Sequence, residues 1–253
     1  MNTYKHSGAF GDLIYSLMVV KNTGGGRFYL HLDQLNWIGQ HFYGSAPNPF
    51  HQGRLTLQDF EFMKSFMLAQ SYIEDFQILD PRTHEISHNL DRFRAPFVHH
   101  PCNYLDLYGQ LHGVDPTQIY QPWLTVPKPV QTPGRTLVVN RTARWTSTAS
   151  LEQWQQLAQA GLDQEAVFVG LAEEHQAFVA ATGWKNILYR PTDTLLELAQ
   201  IIAGADRFIG NQSQCFALAV GLGLKNIDCE IRRDLPMERN ECYFPKFPEI
   251  RYF

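Results

Sequence analysis

The chain has 253 residues, of which 44% are hydrophobic and 18% are charged, and its formal net charge is -4. This composition is typical of a soluble globular protein with one large domain or two small ones. The slight negative charge argues against a broad basic surface, so we expect neither general nucleic-acid binding nor binding to anionic membranes.

The sequence opens without a signal-like pattern, and no apolar run approaches the length of a transmembrane segment. We therefore expect a cytoplasmic protein. Its cysteines are scattered without a Cys-x-x-Cys pair, which indicates reduced and mostly buried thiols. They are Cys102, Cys215, Cys229 and Cys242.

The first elements form a β-turn-α-β unit. Residues 3–6 predict a short strand, residues 7–11 a turn, residues 12–21 a helix and residues 27–32 a second strand. Asp12 starts the predicted helix, where a carboxylate caps backbone N–H groups and complements the helix dipole. That structural role would explain Asp12 by itself, and it can coexist with a catalytic role.

The rest of the first half is less regular. Residues 33–56 are rich in aromatic residues and proline, which is typical of a binding loop or of a lid over the protein's own core. A helix is predicted over 57–71 and a helix or turn over 104–112, with a short strand at 76–79 between them.

Several histidines and one cysteine fall close together in this half. They are His84, His88, His99, His100 and Cys102. Their spacing matches no recognised set of metal ligands, so we predict no metal site.

A proline-rich segment separates the two halves. Four prolines between residues 122 and 133 favour an extended linker. We place the boundary near residue 130, which gives domains 1–130 and 131–253.

The second half alternates strands with helices. Strands are predicted at 136–140, 166–169, 186–189, 207–209 and 226–228, and helices at 151–160, 173–182, 194–203 and after residue 213. The helix over 194–203 begins with a capping box of Thr194 and Glu197. Repeated β-α-β order indicates an α/β fold with a parallel, doubly wound sheet.

The most informative stretch is 207–223. It predicts a strand, a turn over Gly210–Asn211–Gln212–Ser213, and a helix of small residues with Ser213 as its N-cap. The free N–H groups of such a helix can bind an anionic ligand. Most strand-turn-helix junctions bind nothing, so this motif alone does not decide the function.

Four stretches in this order resemble motifs of one family. They are 7–17, 138–140 with Arg144 and Trp145, 167–174, and the run from 194 to 219. Together they are similar to the heptosyltransferase-type glycosyltransferases of family 9. The resemblance covers roughly residues 6–20 and 136–225. It implies two Rossmann-like domains facing a cleft, the GT-B fold, with the acceptor side in 1–130 and the nucleotide-sugar donor side in 131–253.

The resemblance also implies a chemistry, an inverting sugar transfer from a nucleotide-sugar to a hydroxyl group that needs no cofactor and no metal. Asp12 resembles the general base that deprotonates the acceptor. Ser7, Gly8 and Gly11 resemble the family's loop on the acceptor side, which binds the acceptor or a phosphate group.

The donor side has its own set of implied residues. They are Arg141, Arg144, Glu174, Asn211, Gln212, Ser213 and Gln214. Helix N–H groups, the Asn211 and Ser213 side chains and a cation from Arg141 or Arg144 would stabilise the leaving diphosphate. Glu174 resembles a carboxylate that contacts the ribose, although a solvated glutamate in a first helical turn needs no such role.

Three positions depart from the family pattern. Gln212 replaces Asp, Gln214 replaces Gly and Ala217 replaces His. These changes favour a second hypothesis, a non-catalytic protein that binds a nucleotide or sugar phosphate. A third is a nucleotide-sugar epimerase or hydrolase. The acceptor could be a glycan, a peptide or a modified nucleobase, and the sequence does not choose among them.

Overall fold

A computed structural model describes residues 1–32, 55–93, 103–143, 146–231, 245 and 247–253. Its strands form two sheets, one in each half of the chain, and every pair of neighbouring strands is parallel. The predicted α/β fold with parallel sheets is therefore confirmed.

The first sheet has four strands in the order β3-β2-β1-β4. They are β1 (Asn2–His6), β2 (Gly26–Leu30), β3 (Ile73–Ile78) and β4 (His88–Asn89). The sequence did not predict β4, because two partly buried polar residues carry no strand pattern.

The second sheet has six strands in the order β10-β9-β8-β5-β6-β7. They are β5 (Leu137–Asn140), β6 (Ala166–Phe168), β7 (Leu188–Tyr189), β8 (Arg207–Asn211), β9 (Ile227–Glu230) and β10 (Ile250–Tyr252). The sequence placed Gly210 and Asn211 in a turn, but they extend β8. Gly210 pairs with Cys229 of β9, and Asn211 pairs with Glu230.

The helices cover the faces of these sheets. They are α1 (Phe10–Asn22), α2 (Leu57–Leu68), α3 (Tyr104–His112), α4 (Pro116–Ile119), α5 (Leu151–Gln159), α6 (Ala172–Thr182), α7 (Leu195–Ala203) and α8 (Gln214–Gly221). In α7 the Thr194 side chain accepts from Glu197 N as predicted. Glu197 Oε2, however, accepts from Asp193 N instead of closing the box at Thr194.

The two halves share one hydrophobic core. Helix α1 packs on α8 and α2 packs on α7, so a single buried cluster extends across both sheets. Trp123 joins them, because its Nε1 donates to Ile14 O at 2.9 Å and its backbone N donates to Gly221 O at 3.0 Å. The predicted boundary near residue 130 stays a prediction.

Cys215 and Cys229 are buried free thiols, as predicted. Cys102, Cys242, His99 and His100 lie outside the described residues. Within the described ranges, no group of three or more His, Cys, Asp or Glu side chains could hold a metal ion. Over the same part of the chain, each helix is too short or too polar to span a bilayer.

Candidate functional site

Among the predicted site residues that the structure describes, Glu174 follows β6, and the others lie at or after the ends of β1, β5 and β8, the strands beside the topological switch point of each sheet. In the first sheet the chain leaves β1 toward β2 on one side and returns to β4 on the other. In the second it leaves β5 toward β6 and returns to β8. The loops at a switch point diverge and leave a crevice at the carboxyl ends of the strands, where α/β proteins bind ligands.

A buried hydrogen-bond network fixes the first switch point. Ser7 N donates to Asp91 Oδ1 at 3.0 Å, which links the end of β1 to the turn after β4. Gly8 N donates to His6 Nδ1 at 2.9 Å, so the neutral ring carries its proton on Nε2. That proton points to Tyr108 Oη at 3.0 Å, and the Tyr108 hydroxyl donates to Asp12 O at 3.3 Å. The network therefore positions the loop and the start of α1 together.

Asp12 and Gly11 lie in the first turn of α1, which begins two residues earlier than predicted. Asp12 is partly buried, and its carboxylate lies at the positive end of the helix dipole. A Cβ placed on Gly11 would meet no heavy atom of the described residues within 4 Å. Packing by these residues therefore does not require a glycine at this position.

At the second switch point, two side chains bridge β5 and β8. Asn211 Nδ2 donates to Thr142 O at 2.7 Å, and Asn211 Oδ1 accepts from Thr142 N at 3.0 Å. Ser213 Oγ donates to Asn140 Oδ1 at 2.6 Å and accepts from Phe216 N at 3.4 Å, so Ser213 is the N-cap of α8 as predicted. Both side chains serve the scaffold, and their contacts with a donor stay predictions.

Arg141 is held in a buried ion pair that the sequence did not suggest. Its Nε lies 2.6 Å from Glu230 Oε2 and its Nη2 lies 2.9 Å from Glu230 Oε1. The side chain of Arg141 is 9% exposed and that of Glu230 is 0% exposed. Since Glu230 already neutralises its charge, the role of Arg141 with a diphosphate stays a prediction. Arg144 and Trp145 lie outside the described residues.

Glu174 lies beside the same crevice. Its Oε2 accepts from Leu171 N at 3.0 Å, and a Cβ on Gly170 would come within 2.8 Å of both Glu174 Oε2 and Asn140 Nδ2. Gly170 also has a φ of 133°, which favours glycine. Glu174 is partly buried, and burial raises its pKa. Its hydrogen bond from Leu171 N gives it a structural role at the start of α6, and a contact with the ribose stays a prediction.

The two glutamines of the donor turn flank the N-cap Ser213. Gln212 directly follows β8, and Gln214 is the first residue of α8. Both are partly buried. Glu174 and Ser213 both lie near Asn140 at the carboxyl edge of the second sheet. Ser213 donates to Asn140 Oδ1, and Glu174 Oε2 and Asn140 Nδ2 both lie close to Gly170. His6, Tyr108 and Asp91 were missed because their contacts join distant parts of the sequence.

Comparison with known proteins agrees with this architecture. No protein-family model matches the sequence, and no curated protein matches it either. A solved structure of a glycosyl transferase of family 9 from Veillonella parvula DSM 2008 has a TM-score of 0.58 at 13% identity, covering 99% of this chain and 84% of that one. The ADP-heptose lps heptosyltransferase II of E. coli has a TM-score of 0.51 at 14% identity, covering 100% and 90%. At these identities the likeness establishes a shared, GT-B-like fold.

Proposed function

We propose that the protein is a glycosyltransferase that moves a sugar from a nucleotide-sugar donor to a hydroxyl acceptor. The observation that carries this proposal is that Asp12 follows β1 and Ser213 follows β8, the strands beside the switch points of the two sheets. The fold shared with solved glycosyltransferases supports it, and one of those proteins is named for ADP-heptose. An adenosine diphosphate sugar is therefore the first donor to test.

The donor would bind at the carboxyl edge of the second sheet. The first N–H groups of α8 can bind the diphosphate and stabilise the negative charge that develops as the glycosidic bond breaks. Glu174 would accept hydrogen bonds from the two ribose hydroxyls. Arg144, in the loop after β5, would add a cation, so the proposed mechanism uses no metal.

The acceptor would bind at the first sheet, beside Asp12. As the acceptor oxygen attacks the anomeric carbon, Asp12 would take its proton while the bond to the diphosphate breaks on the opposite face. One displacement of this kind inverts the configuration at that carbon. The network of His6 and Tyr108 would hold the backbone of Asp12 in place.

The test begins with thermal shift and calorimetric titration against ADP, GDP, UDP and CDP, because a ligand that binds only the folded state raises the melting temperature. We expect one nucleotide to bind, and Arg144→Ala to weaken it about tenfold through loss of a charged hydrogen bond. The control is Arg27→Ala, which removes an exposed arginine of β2 and should leave nucleotide affinity unchanged. If none of the four binds at millimolar concentration, the proposal is wrong.

A second candidate is a nucleotide-binding protein without transferase activity. The departures from the family pattern at Gln212, Gln214 and Ala217 favour it, because they change the charge and hydrogen bonding of the donor turn. Release of nucleotide from the matching nucleotide-sugar, measured with a panel of hydroxyl acceptors, separates the two. Tight binding without turnover across the panel would support the second candidate.

A further inference from the structure

Residues 122–131, which we call the linker, join the two halves of the chain and are hydrogen-bonded to the first half. Trp123 Nε1 donates to Ile14 O of α1 at 2.9 Å. Gln70, in the turn between α2 and β3, holds the backbone of Thr125 at two atoms. Its Nε2 donates to Thr125 O at 3.0 Å, and its Oε1 accepts from Thr125 N at 3.1 Å. The linker is therefore attached to two separate parts of the first half.

The linker is also bonded to the second half. Leu124 N donates to Gly221 O, the last residue of α8, at 2.9 Å. Gln200 of α7 contacts the linker at two further points. Its Nε2 donates to Pro127 O at 2.6 Å, and its backbone O accepts from Val130 N at 2.9 Å. A rotation of one half against the other would break several of these bonds together.

Glycines lie where the linker crosses α7 and α8. A Cβ on Gly221 would come within 2.6 Å of Leu124 Cδ1. A Cβ on Gly204, the C-cap of α7, would overlap Val130 O. The linker therefore packs so closely on both helix ends that a side chain at either glycine would displace it.

The linker holds a strained residue between its attachment points. Lys128 lies between Pro127 and Pro129, and its φ of 54° falls in the left-handed region, which is unfavourable for a residue with a Cβ. Among the described residues it is the only non-glycine residue with a positive φ. Strain of this kind persists only where surrounding contacts fix the backbone. The two bonds from Gln200, at Pro127 O and Val130 N, lie on either side of Lys128 and supply such contacts.

We propose that the linker is a fixed connection and not a hinge, so that the two halves keep one orientation when a nucleotide binds. This inference goes beyond the proposed function and does not depend on it. Domains of one chain usually move relative to each other unless the interface between them is large and hydrophobic. Here α1 and α8 belong to one buried cluster, and a rotation would expose its apolar surface to water.

The test is native-state hydrogen exchange of the full chain, followed by NMR at low urea concentrations. The reporters are the amides of Leu124 and Val130, which donate to the second half, and of Thr125, which donates to the first. We expect all three to exchange only by global unfolding, with the same urea dependence as the amides of β1 and β8. Exchange of any reporter through an opening of lower free energy, while β1 and β8 stay protected, would indicate a hinge and overturn the proposal.

Small-angle X-ray scattering tests the orientation with ligand. We expect the same radius of gyration without ADP and with saturating ADP, and a smaller radius with ADP would overturn the proposal. If none of the four nucleotides binds, the proposed function is wrong, while the exchange measurement still decides this inference.

Gly204→Ala tests the close packing of the linker on α7. We expect one unfolding transition with a melting temperature lowered by about 5 °C or more, because the added Cβ displaces a segment that is bonded to both halves. The control is Gly11→Ala, the same change at a site where no heavy atom of the described residues lies within 4 Å, which should not lower the melting temperature. A Gly204→Ala protein as stable as the wild type would mean that the linker moves away freely, which contradicts a fixed connection.

Discussion

Arg141 and Glu230 form a two-pronged ion pair that joins the loop after β5 to the end of β9. The Nε–Oε2 and Nη2–Oε1 distances are 2.6 and 2.9 Å. Glu230 also accepts from Ser147 N at 2.9 Å and from Trp154 Nε1 at 3.1 Å. Arg141 and Ser147 are therefore both fixed to one buried carboxylate.

Replacing Glu230 with Gln should destabilise the protein strongly. The change leaves the Arg141 guanidinium buried without its counter-charge, and breaking a buried pair from one side costs about 3 kcal/mol or more. Urea denaturation measures the difference in free energy of unfolding. As the control, Lys225→Gln interrupts the exposed pair with Glu249, whose atoms are 3.4 Å apart, and should change stability by less than about 1 kcal/mol. An equal effect of both substitutions would contradict this role.

Asp12→Asn should separate binding from catalysis. The amide keeps the shape of the side chain but cannot accept the proton of the acceptor hydroxyl at neutral pH. We expect nucleotide affinity near that of the wild type and sugar transfer reduced about a hundredfold or more, the usual effect of losing a general base. Glu61→Gln, on the exposed face of α2, is the matched control. Transfer at the wild-type rate would remove Asp12 from the mechanism.

Gly11→Ala should stabilise the protein and impair its activity. A glycine within a helix costs about 1 kcal/mol relative to alanine, and the added Cβ would meet nothing within 4 Å among the described residues. If a substrate approaches the backbone at this point, the methyl group would obstruct it. Denaturant unfolding should show the gain, and transfer kinetics should show a higher KM for the acceptor. Higher stability with unchanged kinetics would leave Gly11 without a role in binding.

The sequence predicted the second sheet well because its information is local. Parallel strands buried on both faces appear as short apolar runs, and Ser213 caps a helix that begins at the next residue. The relationships that fix the site are not local. Glu230 lies 89 residues from Arg141, and Tyr108 lies 102 residues from His6. No spacing rule connects such residues before the strand order is known.

Strands β4 and β10 were missed for a related reason. β4 consists of two polar residues, and β10 has a charged arginine at the centre of its three residues, so neither shows an apolar run. Both β4 and β10 are defined by backbone pairing with a neighbouring strand of the sheet. Tyr4 and Lys5 of β1 pair with β4, and Ile227 of β9 pairs with Ile250 of β10.

Glu174 should make stability depend on pH. Its pKa is raised by burial first, opposed by the hydrogen bond from Leu171 N, and raised further by the charge of Glu173. An acid with a higher pKa in the folded state holds its proton more tightly there. Its ionisation therefore lowers stability as the pH rises from the ordinary glutamate pKa through the raised one.

Glu174→Gln removes this penalty and keeps an oxygen that can accept from Leu171 N. We expect the variant to be more stable than the wild type near pH 7, with the difference vanishing below the ordinary glutamate pKa of about 4.3. Denaturant unfolding at a series of pH values measures it, with Glu152→Gln on the exposed face of α5 as the control. A constant difference at every pH would mean that the substitution acts through packing and not through the buried charge.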